Sequence, residues 1–259
     1  MKMTFLFACF LTPFLVSGCA KSNNASLLWD DIGDSARRAA LAPETWGPAG
    51  AAALVAAGGW DDKIQASASK HRWLMSGDTS PEELSNDLKE AVTPIYLLSM
   101  VLATPPAAEN ADALEWKAEN VALLAVNREG SDSLANLLKK KSGRDRPDGE
   151  PDDAMPSKHV MYTSVHTSFA RRNLDYVDMD PNWRTAAKTG LYLLDGMEAL
   201  SRVEADKHYP ADVLMGMAVG NFLANFSFNL LLEEKNEQAV KLAIVPEGRG
   251  WKLELDRVW

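Results

Sequence analysis

Val213–Leu232, VLMGMAVGNFLANFSFNLLL, decides what kind of fold this chain adopts. The segment is nearly long enough to cross a bilayer and carries no charged side chain. Asn221, Asn225 and Asn229 recur every four residues, however, and mark one polar stripe along a helix. Such a stripe suits a helix buried among other helices better than one facing lipid. A membrane span is the alternative on length alone.

Outward from this segment the helical period dominates. Ser80-Pro81-Glu82-Glu83 is a capping box with proline at the first helical position, predicting a helix to about residue 102 that Pro94 should kink. Further helices are expected over about 111–127, 131–141, 164–176, 182–203 and 209–234. Residues 143–162 are rich in Pro and Asp and read as a loop, and residues 20–26 as a polar tether. AIVPEGRGWKLEL (243–255) reads as two short strands around a Gly-containing turn. The expected fold is all-α, a helical bundle with a small C-terminal β-hairpin. Its divisions are a tether and N-terminal segment (19–35), a helical domain (36–236) and the hairpin (237–259).

Residues 1–18 read as a secretory signal, with Lys2 ahead of an apolar run from Met3 to Val16 that is too short to span a bilayer. Leu15-Val16-Ser17-Gly18-Cys19 resembles a bacterial lipobox cut before Cys19, which would then carry lipid. Ala20 in the next position resembles an outer-membrane sorting signal. The expected location is the bacterial cell envelope, lipid-anchored on the outer membrane and facing the periplasm. An ordinary cleaved signal is the alternative. The two cysteines are Cys9 and Cys19, so the mature fold is expected to hold no disulfide and to depend on its core. A formal net charge of −9 argues against nucleic acid as a partner.

Three clusters carry chemistry. In Ser201–Asp212, SRVEADKHYPAD, His208 and Asp212 are spaced one helical turn apart. Asp212 can take the proton-bearing nitrogen of the imidazole and leave the other free as a nucleophile, while Arg202 supplies a fixed cation. The plain alternative is a helix-surface His–Asp pair. In KKKSGRDRP (139–147), Lys139 on a last helical turn and Arg146 in the loop can converge on one anion. The alternative is a basic helix C-terminus opposing the macrodipole, a role assigned to Lys140, Lys141 and Arg144. Ser164-Val165-His166 is expected where loop gives way to helix, with free N–H groups, a hydroxyl and a proton donor, or else simply as an N-cap. His71 and His159 fall outside these clusters, and His159 reads as a solvated loop histidine. The run Asp148, Glu150, Asp152, Asp153 lacks the spacing of a calcium loop, so no metal site is expected.

Lys139-x6-Arg146-Pro147, Ser164-x-His166 and Ser201-Arg202-x5-His208-x3-Asp212 together resemble the three-part signature of the type 2 phosphatidic acid phosphatase superfamily. That superfamily includes lipid phosphatases, class A acid phosphatases and vanadium haloperoxidases. The resemblance covers about residues 90–232 and implies a helical bundle of the acid phosphatase/vanadium haloperoxidase type. It implies that His208 attacks phosphorus, Asp212 orients it, and His166 protonates the leaving group. Lys139, Arg146, Arg202, Ser164 and the N–H of Val165 would hold the phosphate oxygens. No cofactor or metal is implied for hydrolysis, and vanadate could occupy the phosphate site. One departure stands out: the family has Pro-Ser-Gly-His where this reading places Thr163-Ser164-Val165-His166, and a Cβ at Val165 would crowd the ligand. The function expected is a membrane-tethered periplasmic phosphatase acting on a phosphomonoester, lipid phosphates included. The alternatives are an isoprenoid-lipid pyrophosphatase, a haloperoxidase, or a weakened member that binds an anionic lipid or an envelope partner.

Overall fold

A computed structural model describes residues 22–74, 79–105, 110–233, 240–247 and 250–257. Eight helices are described: α1 (Ser22–Leu41), α2 (Pro43–Ala57), α3 (Asp61–His71), α4 (Pro81–Leu102), α5 (Asn110–Ser142), α6 (Lys158–Asn173), α7 (Pro181–Glu204) and α8 (Pro210–Leu231). A 3₁₀ turn, Leu174–Tyr176, follows α6. Strands β1 (Val240–Glu247) and β2 (Gly250–Arg257) pair antiparallel, with Val240 opposite Arg257 and Glu247 opposite Gly250.

Helix α8 is the axis of the bundle and packs against α1, α2, α3, α5, α6 and α7. By length and apolarity it is the one described helix able to cross a membrane, with a mean hydropathy of 1.3. Its asparagine stripe points at protein. Arg171 Nη2 donates to Asn221 Oδ1 at 2.5 Å, and Asn225 Nδ2 donates to Glu44 Oε1 at 3.0 Å. Arg171 also pairs with the buried Asp195 at 2.9 Å, and Thr167 Oγ1 donates to the same carboxylate. Arg171, Asp195, Asn221 and Asn225 therefore each have a partner, the condition for leaving water without a large penalty. On the other flank Tyr96, Val165, Phe169, Phe228 and Trp116 form the apolar core. Full burial of a side chain such as Phe169 or Phe228 contributes about 1.5–3 kcal/mol.

Close approach of α6 to α8 depends on two glycines. A Cβ at Gly216 would lie 2.6 Å from the Ser157 carbonyl oxygen, and one at Gly220 would lie 2.6 Å from that of Met161. The first turn of α6 thus rests directly on the α8 backbone.

Local structure differs from expectation at three places and agrees with it in α4. Ser22–Leu41 is helical, so residues 22–26 are not a tether, and Ile32 and Ser35 further along α1 are buried. The expected break near Gly130 is absent: α5 runs unbroken from Asn110 to Ser142, and burial of Ser131 and Ala135 offsets the roughly 1 kcal/mol a helical glycine costs. Helix α4 passes through Pro94, and its N-cap is as expected, with Ser80 Oγ accepting from Glu83 N–H at 3.1 Å. Helix α6 begins at Lys158 rather than 164, because Ser157 holds the extended N-cap position. The signal-like segment and Cys19 lie outside the described residues.

Gly220→Val should lower the free energy of unfolding by about 1–3 kcal/mol, the usual cost of overpacking. Gly196→Ala in α7, where an added Cβ meets nothing within 4 Å, should be neutral or stabilising. Urea denaturation of both variants checks this, and equal effects would contradict the close packing of α6 on α8.

Candidate functional site

Lys139 sits on the last turn of α5 and is buried, and Arg146 follows in the loop. The two cations converge on one residue. Lys139 Nζ donates to Asp153 O and Oδ1, each at 2.6 Å, and Arg146 Nε donates to Asp153 O at 3.1 Å. Arg146 also pairs with the Asp153 carboxylate through Nη2 and with Glu150 through Nη1 at 2.6 Å. Asp153, read from sequence as part of a solvated acidic run, is thus an internal anion held where the two cations meet. Lys139 is lowered in pKa by burial, which Asp153 partly offsets.

His208 is buried between α7 and α8, and its Nδ1 lies 2.8 Å from the Ala154 carbonyl oxygen. A carbonyl can only accept, so Nδ1 carries the proton and the Nε2 lone pair is free. Burial lowers the His208 pKa well below its usual value, and the charges of Arg202, Lys139 and Arg146 lower it further. The imidazole is therefore neutral, and those three cations are the charges that act on it.

Asp212 does not hold His208, a correction to the one-turn pairing. Its Oδ1 accepts from Arg144 Nη1 at 2.8 Å and its Oδ2 from the Tyr209 N–H at 2.8 Å, capping α8. Arg144 also reaches Asp61 on α3 at 2.8 Å, so it is a tertiary clamp and not a helix-end counter-charge. A guanidinium offers stronger charge-assisted bonds than an imidazole could, and Arg144 takes the carboxylate. Burial raises the Asp212 pKa to about 6, against the pull of Arg144 and the Tyr209 N–H.

Arg202, on the last turn of α7, is 4% exposed, and its Nε has no hydrogen-bond partner among the described residues. The nearest counter-charge one turn back is Glu198, a buried carboxyl whose pKa burial raises to about 7. A buried guanidinium without a hydrogen-bonded anion is costly, and an anion bound here would offset that cost.

Ser164, Val165 and His166 are not at this site, a second correction. They lie in the second and third turns of α6, all buried. Val165 belongs to the apolar core, and Ser164 lies beside Asp195 in the α6–α7 seam. His166 lies tilted against Tyr162 with ring centroids 4.1 Å apart, and its Nδ1 donates to the Tyr162 carbonyl at 2.9 Å. Burial lowers its pKa to about 4, and the charge that adds to this is Arg128, outside the cation trio.

His159 takes the place expected of His166. It stands in the first turn of α6, and burial lowers its pKa to about 3, with Arg202, Lys89, Arg146 and Lys139 adding to the shift. Those charges include all three that act on His208. The residues before it, Pro156-Ser157-Lys158-His159, carry three of the four residues of Pro-Ser-Gly-His, whereas Thr163–His166 carries two. That tetrapeptide was the signal available in the sequence. Ser157 is fully buried, its N–H donates to the Asp212 carbonyl at 3.1 Å, and its Oγ has no partner among the described residues. The helix N-terminus, an unpartnered hydroxyl, two imidazoles and three cations can together hold an oxyanion and move a proton to or from it.

No group of His, Cys, Asp and Glu suited to a metal occurs among the described residues. Comparisons with family models, with curated proteins and with solved structures give no match to this chain.

Replacing His166 tests its assignment as a core residue. Its folded pKa of about 4 lies below the roughly 6.5 of an unfolded histidine, so the stability tied to its neutral form is present above 6.5 and lost as pH falls through 4. His166→Phe should therefore lose less stability than wild type between pH 6.5 and 4, measured by urea unfolding at each pH. Identical pH slopes would contradict the buried neutral imidazole.

Proposed function

We propose that this chain is a phosphatase of the type 2 phosphatidic acid phosphatase kind, acting on a phosphomonoester through a phosphohistidine at His208. The observation that carries the reading is the buried Arg202, its Nε without a hydrogen-bond partner among the described residues, acting together with Lys139 and Arg146 on a neutral His208. Phosphate brings the dispersed negative charge and acceptor oxygens that such a cluster lacks. The Asp153 carboxylate is the group it would exchange with at Lys139 and Arg146.

In this reading the His208 Nε2 lone pair attacks phosphorus, and the bond to the ester oxygen breaks. The Nδ1–H to Ala154 carbonyl bond fixes the ring and stabilises the imidazolium that forms. His159 gives its proton to the departing oxygen, then takes one from the water that cleaves the phosphorus–nitrogen bond. Burial, and after it cation repulsion, keeps His159 neutral in the free protein. A bound phosphate dianion offsets that repulsion and raises the His159 pKa, so that the ring takes up from solvent the proton the acid step needs. Lys139, Arg146 and Arg202 stabilise the charge on the transferring group, with the Ser157 hydroxyl and the α6 N-terminus in the place first given to Ser164 and Val165. Asp212 acts one step removed, through Arg144 and the start of α8.

The lipobox-like sequence at Cys19 supports placing the enzyme on the bacterial envelope, within reach of lipid phosphates as well as soluble ones. A weakened, anion-binding member is the second reading. Lys158 in the family's glycine position and the Asp153 grip on two cations favour it.

The test is phosphate release by the folded domain from para-nitrophenyl phosphate and phosphatidic acid. His208→Ala should abolish turnover, and His159→Ala should lower kcat by about 10²–10⁴, the usual contribution of a general acid. Arg202→Ala should cost about 10²–10³. His166→Ala should change kcat far less than His159→Ala. No release from either substrate by wild type, or full activity in His208→Ala, would overturn the proposal.

A further inference from the structure

From Trp46 to Trp60 the chain reads WGPAGAAALVAAGGW, a run with no charged side chain. Helix α2 covers most of it and packs one face on α8. Trp46, Gly50, Ala53, Leu54 and Ala57 recur at helical spacing on the opposite face and are exposed. Trp60 closes that face. A Cβ at Gly58 would meet its ring at 2.7 Å, so the indole lies against the helix end. Trp46, Leu54 and Trp60 are each more than half exposed.

Trp60 also opens α3, whose inner face is pinned to the connection that carries His208. Asp61 Oδ1 accepts from the Ala211 N–H at 2.9 Å, and Ser69 Oγ donates to Asp206 Oδ2 at 3.0 Å. The Leu74 N–H donates to Glu204 Oε1 at 2.7 Å. The outer side carries Lys63, Lys70 and Arg72 and ends at Trp73, all exposed. None of these three cations has an ion pair among the described residues. From Trp60 to Trp73 the exposed residues set one acid, Asp62, against them, in a chain whose formal net charge is −9. Arg72 also sits at φ 45°, left-handed backbone that favours glycine, so ending the helix does not call for an arginine there.

An apolar helix face bounded by tryptophans and joined to unpaired cations suits anionic lipid. Indole rings settle at the level of the headgroups, the apolar face enters the acyl boundary, and each Lys or Arg gains from anionic headgroups. Chain length agrees with this occupant. On the envelope placement proposed above, Cys19 carries the lipid, and Ala20 and Lys21 alone separate it from α1. So short a tether spans about 10 Å, which holds the bundle against the bilayer.

We propose that the outer faces of α2 and α3 form one docking surface for an anionic bilayer. Trp46, Leu54 and Trp60 enter the headgroup boundary, and Lys63, Lys70 and Arg72 meet the headgroups. The surface seats the protein on lipid beside the segment that carries His208. It does not rest on the phosphatase reading, since it concerns no substrate.

Vesicle co-sedimentation of the chain from Ala20 onward, which lacks the acylated cysteine and keeps every described residue, tests this. Wild type should bind vesicles of equal parts phosphatidylglycerol and phosphatidylcholine about tenfold or more tighter than vesicles of phosphatidylcholine alone, and added salt should weaken the binding. Lys63→Gln/Lys70→Gln/Arg72→Gly should weaken it about a hundredfold, as roughly fivefold per charge implies. Glycine suits the backbone of Arg72 and the lysines are exposed, so the fold should stand, and a thermal melt checks it. Trp46→Ser/Leu54→Ser should cost about tenfold and leave the salt dependence in place. Equal binding of wild type to both vesicle types, binding to neither, or unchanged affinity in the cation variant overturns the surface. Self-association of the lipid-free protein that Trp46→Ser/Leu54→Ser abolishes overturns it too, since the occupant is then a second copy.

Discussion

Helix α6 lies on α8 without side chains between them at Gly216 and Gly220, and the geometry of the whole site depends on that contact. It places the α6 N-terminus against the start of α8, where the Ser157 N–H donates to the Asp212 carbonyl. His159 follows two residues after Ser157, and His208 precedes α8 by two, so one backbone contact sets the separation of both imidazoles. Any Cβ at these positions would move Ser157 or Met161 outward, and both rings with them. Arg144 then ties the assembly from the side, bridging Asp61 of α3 to Asp212 of α8. Helices distant in sequence thereby become the walls of one site.

Electrostatics at this end of the bundle run against the rest of the molecule. The chain is acidic, yet Lys139 and Arg202 are buried and Arg146 is nearly so. Desolvated cations need an anion close by, and Asp153 supplies one to Lys139 and Arg146 but not to Arg202. Burial first, and then this imbalance, keep His208 and His159 neutral, because a proton on either ring would add a further desolvated positive charge. A neutral imidazole with its Nδ1–H fixed on a carbonyl suits attack on phosphorus, and the excess positive charge suits the phosphate itself. On the proposed reading, the same field prepares the nucleophile and recruits the substrate.

Much of the architecture was legible in the sequence because it rests on local rules. The Ser80 cap, the asparagine stripe of α8 and the order of Lys139, Arg146, Arg202 and His208 are matters of spacing, and folding respects spacing. What could not be read depends on contacts between distant segments. Asp212 was assigned to His208 because they are one turn apart, but Arg144, sixty-eight residues upstream, claims the carboxylate. His166 was preferred over His159 although the two lie seven residues apart on one helix, near the same tyrosine. Only packing separates them, since one ring is pressed into the core and the other is set among cations. Pro156-Ser157 ahead of His159 was the local clue. Helix α2 has no readable period because seven of the ten residues at 48–57 are alanine or glycine, with little amphipathic contrast to mark a buried face.

The account stands on one arrangement, a single anion seat bounded by His208, His159, Lys139, Arg146 and Arg202. Orthovanadate mimics the pentavalent phosphorus of phosphoryl transfer, so a crystal structure of the protein soaked in it addresses that arrangement directly. The account predicts vanadium bonded to His208 Nε2, equatorial oxygens on Lys139, Arg146 and Arg202, Asp153 turned away from both its cations, and His159 facing the apical oxygen. Vanadate bound elsewhere, or against His166 with the Asp153 grip intact, would contradict it.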